Sequence, residues 1–426
     1  MRSPRATHNL IAVSANLKET ALNTPQTLDS SLLVGLSDVI NLDPRRETDA
    51  SELNGHEEAS SIYDNGATSS TTFNFPKAQT QHFGFVCAYA LGTVSTATVG
   101  AGYTHTITPI ANDLDSSRSN PSFAAAQRWG LTVAKRLFSS MFVDSFTATF
   151  TKDDWIKLAA QIKGTGKYSD SVLEETITAL DNVTSLTLAA NAVAGSTAAA
   201  RLDSIHQIRA ETAAGVWEEV EFSAVSSATP AVLTITSTGG AGASISYKVL
   251  YVPTEAAWAT FPSRITESAL RISDLQVTLG GKWSGSAFEG GKALTAEINS
   301  LEWNFQNSLA IEFTPGTGYS GYASRAFREG RGQTVKLDRE FRNFILQQAI
   351  ASNETFGLRI LCNGAEFADG ENYKVEIIFP KLGVLKAPIS VSGKRLAEAG
   401  DLQVLEDSTY GSVIVKVTNQ VATYAA

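Results

Sequence analysis

Hydrophobic and polar positions alternate along much of the chain, and the order is clearest in the stretch Gly332–Asp407. Val335 and Leu337 alternate with polar neighbours, which predicts a strand. Phe341, Phe344, Ile345 and Ala349 then fall at the i, i+3, i+4, i+8 spacing of one apolar helical stripe, with Asp338 placed to cap its start. Phe356, Leu358 and Ile360 alternate next, followed by Tyr373, Val375, Ile377 and Phe379, a strand expected to stop at Pro380. The expected unit is strand, helix, strand, strand.

A weaker copy of this unit occupies the first half. Gly66–Phe75 predicts a strand, and Pro76–Leu91 a helix whose stripe is Phe83, Val86, Cys87 and Ala90, with Pro76 suited to its start. Gly102–Pro109 then matches Asn372–Pro380, each a Tyr-led strand closed by proline. A separation of about 270 residues implies a domain duplication, since solenoid repeats run at roughly 20–50 residues. Phe146, Ala148 and Phe150 alternate, as do Ile156, Leu158, Ala160 and Ile162, so a hairpin turns at Lys152–Asp154. Leu301, Trp303 and Phe305 alternate out of phase with Leu294, Ala296 and Ile298, which predicts a register change at Asn299–Ser300.

The remaining segments interrupt this pattern. Residues 1–30 read as a turn-rich arm, and Asp43–Ser61 and Phe313–Gly332 as long exposed loops. Leu180–Pro253 carries short strands between Gly, Ala and Ser turns, as expected of a small inserted β module. The resulting division is a first domain at residues 1–170, the module at 171–262 and a second domain at 263–426.

Composition sharpens the class. The 426 residues are 43% hydrophobic and only 18% charged, enough apolar material for two or three cores and a balance typical of sheet proteins. The expected fold is therefore mainly β. A net charge of −9 argues against a protein that grips nucleic-acid backbone, because such affinity comes from clustered Lys and Arg. Cys87 and Cys362 sit in apolar segments without CxxC or Cys/His spacing, so both are expected to be buried free thiols, compatible with a reducing cytoplasm. The N-terminus lacks the apolar run of a signal peptide, and no stretch is apolar enough to span a membrane as a helix, so neither export by that route nor membrane insertion is expected.

Catalytic patterns fail on inspection. Gly164–Lys167 lacks the Gly that a phosphate loop needs at Gln161 and the Ser or Thr it needs at Tyr168. Gly100 and Gly102 precede a strand and not the helix N-terminus that would hold a pyrophosphate. His56 with Glu57 and Glu58 has no second histidine at helical spacing, and His8, His82, His105 and His206 have no triad partners in sight. The expectation is a non-enzyme without cofactor or metal. Two groups suit contacts instead. Arg45 and Arg46 against Glu47, Asp49, Glu52, Glu57 and Glu58 permit complementary pairing. Arg325, Arg328 and Arg331 could hold phosphate and the interleaved Tyr319, Tyr322 and Phe327 could stack bases, the plain alternative being an exposed loop that pairs with acidic residues.

The segment IIFPKLGVLKAPISVSGKRLAEAGDLQVLED, ending at Asp407, resembles the C-terminal signature of major tail tube proteins of long-tailed bacteriophages and prophages. ETALNTPQTLDSSLLV and YDNGATSSTTFNFPKAQTQHFGFVCAYALG look like the entry strands and helix of the same family, and the resemblance spans residues 17–170 and 265–420. It implies a duplicated tail tube domain, a β-sandwich or barrel with one flanking short helix, plus the inserted module. It also implies rings stacked into a hollow tube through which DNA is delivered, made in the host cytoplasm and resident in the virion tail, with Arg45, Arg46, Glu47, Asp49, Glu52, Glu57 and Glu58 as contacts between rings and Tyr319, Tyr322, Arg325, Arg328 and Arg331 as contacts with neighbours or the lumen. The implied partners are the chain itself, tape measure, tail terminator and tail-tip proteins, with DNA as non-specific cargo. Tube rings present six equivalent domains, so a duplicated chain favours a trimer with pseudo-sixfold symmetry over a hexamer. The alternative is a receptor- or carbohydrate-binding β protein of the tail tip or capsid surface.

Overall fold

The computed structural model describes residues 5–52, 55–110, 120–130, 135–254, 260–294, 297–315, 321–368 and 370–426. The chain is mainly β and divides into two compact units. One comprises Met1–Val13, Ala125–Phe138 and Tyr168–Ser263; the other comprises Ser14–Ala124, Ser139–Lys167 and Arg264–Ala426. Residues 1–170 and 263–426, expected as two domains, thus contribute most of their strands to one unit. No helix among the described residues is long and apolar enough to cross a membrane.

In the first unit, Leu173–Leu180, Ser244–Tyr251, Ile205–Ala213 and Val216–Glu219 form a four-stranded sheet in that order. Ser185–Thr187, Val232–Ile235 and Phe222–Val225 form a three-stranded one. Leu186, Ile208, Leu233, Tyr247 and Val249 are among the residues that close a core of its own. The N-terminal segment, expected as an arm, instead pairs Leu10–Val13 with residues 125–128, and burying Ile11, Ala12 and Val13 explains why it does not hang free.

The second unit carries the strands named from here on, β5 with all but its first four residues: β1 (Asn41–Thr48), β2 (Ile62–Phe75), β3 (Gly92–Val99), β4 (Gly102–Pro109), β5 (Lys135–Thr151), β6 (Lys157–Gly164), β7 (Leu275–Trp283), β8 (Ile298–Gln306), β9 (Gly332–Glu340), β10 (Phe356–Ala368), β11 (Glu371–Lys386), β12 (Ile389–Ser392), β13 (Arg395–Val404) and β14 (Ile414–Asn419). Its helices are α1 (Thr80–Leu91) and α2 (Ile345–Ser352). One run of antiparallel pairings goes β1-β2-β6-β5-β8-β9-β13-β12. A second goes β7-β10-β11-β14-β4-β3. The expected hairpin between β5 and β6 is present, and the expected register change in β8 falls between Ile298 and Ser300.

The core lies between these runs. Trp303 and Phe305 of β8 pack around Phe146 of β5, and Trp303 meets Phe379 of β11 edge-on at 5.4 Å. All twelve residues of α1 are buried, so its surroundings leave no wet face, although the sequence pattern suggested a single stripe. Its polar first turn is satisfied locally: Thr80 Oγ1 and the Gln81 amide both donate to Glu267 Oε2. Gly92 ends the helix in the left-handed region (φ 94°).

Three sequence expectations are corrected. The second helix starts at Ile345, since Asp338–Glu340 stay in the ladder to β13 and Asp338 cannot cap; Phe344 is left exposed. Strand β11 runs through Pro380, because a bulge between Leu358 and Phe356 frees that position and the strand then continues on β13 from Leu382. Within Asp43–Ser61, residues 43–48 belong to β1 and Asp49–Ser51 is a short 3₁₀ turn. Cross-strand backbone pairing with β2 outweighs the absence of an apolar face there.

Candidate functional site

Strands β1 and β2 form a hairpin that extends well past the sheet. Residues 43–48 and 62–65 are exposed on both faces, so the ladder from Asn41↔Ser70 to Thr48↔Ile62 carries the hairpin with little core beneath it. Near its tip Asp49 is buried and accepts from the Ser60 amide at 2.8 Å and the Ser60 hydroxyl at 2.6 Å, which closes the loop. Tyr63 donates its hydroxyl to Glu52, whose carboxylate raises the phenol above its usual range. Arg46 reaches Asp64 at 3.8 Å, Glu47 stands opposite Tyr63, and Glu57 and Glu58 lie exposed at the tip. Exposed pairs of this kind contribute about 0.2–1 kcal/mol each, too little to fix the hairpin alone. Ile62 is 71% exposed, an apolar residue with no cover inside the unit.

The base of the hairpin meets the other predicted contact region. Arg45 lies over the Phe313 ring at 4.7 Å, and the Ala67 amide donates to Gly321 O at 2.9 Å, with Ala67 and Tyr322 forming a parallel bridge. Gly66 adopts φ 85°, and a Cβ there would stand 2.8 Å from Phe313, so only glycine fits. Lys167 also caps the Tyr322 ring at 5.3 Å. Sequence spacing gave no hint that these segments, some 250 residues apart, touch.

The remaining loop residues separate by environment. Tyr319 lies outside the described residues. Arg325–Arg328 is a strand paired with Leu309–Glu312, so part of the expected loop is a hairpin. Arg325 is exposed on it, 3.9 Å from Glu312 and stacked on Phe327. Arg328 is buried and bonds Asn120 Oδ1. Arg331 donates to Ile110 O, and burial, helped by the nearby Arg328 charge, pushes its guanidinium down to about 10. In this fold Arg328 and Arg331 therefore act inside the unit.

The sheet itself supplies two features that sequence reasoning missed. The inner strands β2, β6, β5, β8, β9 and β13 of the β1 to β12 run each have one apolar face, and the opposite face carries Thr72, Gln161, Thr147, Asn304, Thr334 and Gln403 among charges of both signs such as Lys163, Glu302, Lys336 and Asp401. Its terminal strands β1 and β12 each pair on one side only among the described residues. Alternation did show that each strand had a wet face, but not that these faces are contiguous.

Among the described residues, no group of three or more His, Cys, Asp or Glu side chains is placed to hold a metal. Both cysteines are buried free thiols; burial raises Cys87 well above its usual range and pushes Cys362 up to about 12. No protein-family model matches this sequence, and no curated protein is significantly similar to it.

Proposed function

We propose that this protein is a structural subunit of a bacteriophage tail tube, polymerising into stacked rings around a lumen through which DNA passes. The observation that carries the reading is the strand order β1-β2-β6-β5 followed by β8-β9-β13-β12. Both halves consist of a strand, a second strand leading into a helix, and a later hairpin that returns beside the second strand, so the order supports a duplicated tube domain. Two domains per chain favour a trimeric ring with pseudo-sixfold symmetry. Heterologous contacts close into rings when the rotation per subunit fits, and the single-sided strands β1 and β12 offer the matching edges. The polar face suits a lumen, because its Lys163 and Lys336 are matched by Asp144 and Glu302 and so are not free to hold phosphates in passage. The projecting hairpin suits contact with an adjacent ring.

Negative-stain microscopy of the purified protein tests this. Rings or tubes with threefold or pseudo-sixfold views are expected; isolated single particles at every concentration would overturn it. Replacing residues 46–64 by a short Gly-Ser turn should leave a folded protein that no longer forms long tubes. Tape measure, tail terminator and tail-tip proteins are the proposed further partners.

A further inference from the structure

We infer that Asn65, at the base of the projecting hairpin, is a self-modification site, where the folded chain converts its own carboxamide to a carboxylate and in part to a β-linked isoaspartate. This chemistry does not depend on ring assembly. Asparagine followed by glycine meets the least steric resistance to it, because glycine puts no side chain beside the amide nitrogen that must attack. The chain has three such pairs, Asn54–Gly55, Asn65–Gly66 and Asn363–Gly364. Asn54 lies outside the described residues, which leaves two whose surroundings differ.

At Asn65 the ladder leaves the backbone loose. Arg46 pairs with Asp64 and Pro44 with Ala67, so Asn65 and Gly66 stand together opposite Arg45 in a bulge, with Gly66 at φ 85°. The Gly66 amide donates to Asp64 Oδ1 at 3.1 Å, and this exposed side chain can let it go by changing rotamer, without any parting of strands. Asn65 is exposed, and its carboxamide makes no hydrogen bond among the described residues. Asn363 is placed differently. It follows Cys362, which is buried on β10 between Leu275 of β7 and Val375 of β11. The carbonyl of Gly364 is held by the Asn372 amide at 2.8 Å, and a Cβ there would meet Tyr373 O at 3.1 Å. Opening this central strand costs more than opening a hairpin with little core beneath it, so Asn65 should react first.

The reaction uses only the chain and water. The Gly66 nitrogen gives up its proton and bonds to Cγ of Asn65, the bond from Cγ to the carboxamide nitrogen breaks, and ammonia leaves with that proton. Water then opens the resulting five-membered imide at either carbonyl. One opening restores the main chain with an aspartate; the other routes the main chain through the side chain and lengthens it by a methylene. The longer backbone has no room at Gly66, where even a Cβ would stand 2.8 Å from Phe313 and 3.1 Å from Gly321. Displacing Gly66 breaks the Ala67 amide bond to Gly321 O and lifts Arg45 off Phe313, so the hairpin loosens at its base as the protein ages.

The test incubates the folded full chain at mildly alkaline pH, which favours the deprotonated amide, and maps its peptides by mass spectrometry after digestion in acid. The peptide holding Asn65 should gain the mass difference between an amide and an acid several-fold sooner than the one holding Asn363. Part of the product should accept a methyl group from an isoaspartyl methyltransferase. Asn65→Gln, whose longer side chain closes a less favourable ring, should melt like the parent and keep its mass in this peptide. Brief trypsin treatment of the intact protein should cut after Arg45 or Arg46 several-fold faster in aged than in fresh chain, with no such difference in Asn65→Gln. No mass gain at Asn65, or an equal rate at Asn363, overturns the site. A modified chain that is cut no faster overturns the loosening.

Discussion

Arg339 and Glu398 form an ion pair at 2.6 Å with both side chains fully buried. They stand opposite each other in the ladder from β9 to β13, on the face where Val335, Leu337 and Leu402 are buried. The charges are fully engaged: Arg339 also reaches Glu297 and the carbonyl of Asn343, and Gln347 donates to the second oxygen of Glu398. Removing one partner strands the other. Arg339→Met is expected to cost about 3–5 kcal/mol in chemical denaturation, whereas Arg339→Met with Glu398→Leu should recover most of that loss. A double variant no more stable than the single one would refute this account.

His82 is expected to make stability depend on acid. Its Nδ1 accepts from the Gln79 amide, which leaves the proton of the neutral ring on Nε2, buried without a partner, and burial pushes its pKa down to about 3. The unfolded chain takes up a proton near the ordinary histidine range, so this contribution is complete above about pH 6.5 and is lost as pH falls from there toward 3. Glu19 and Glu267, held above their usual range mainly by burial, act with the opposite sign. The difference in unfolding free energy between the parent and His82→Gln, followed from pH 7 to 4, isolates the histidine. It should shrink by up to about 1.4 kcal/mol per pH unit, and a flat difference would contradict the prediction.

Gly84 illustrates packing against propensity. Alanine in a helix interior ordinarily gains about 1 kcal/mol over glycine, yet a Cβ at Gly84 would stand 2.5 Å from the buried Tyr424 ring. Overpacking should win, so Gly84→Ala is expected to lower stability by about 1–3 kcal/mol. Thermal melting checks the sign, and Tyr424→Leu in the same chain should relieve part of the loss.

Chelation is expected to change nothing. With EDTA present, the melting temperature and the proportion of protein in rings should equal those without it. A fall in either would show that a bound metal supports the fold and would overturn the expectation.

Much of the second unit was legible in the chain itself. Alternation marks β2, β6, β8, β9, β10 and β11 because an antiparallel strand buries every second residue, and the phase slip at Asn299–Ser300 survives as a bulge. Helix and strand ends were less legible. Pro380 ends an isolated strand but is tolerated at a bulge, and Asp338 loses its capping role once Arg339 is drawn inward to Glu398.

Which segments meet follows from the packing of the whole chain. Whether Arg328 lies in the interior or on the surface depends on Asn120, and Arg45 finds Phe313 across more than 250 residues. The strand order, and with it the two open edges, rests on backbone hydrogen bonds between distant segments, which hydrophobic periodicity does not encode. Strands with one wet face are written into the chain, since period-two burial is a local property. The contiguity of those faces and the exposure of Val391 come from non-local pairing, where each partner is chosen by the packing of all the others.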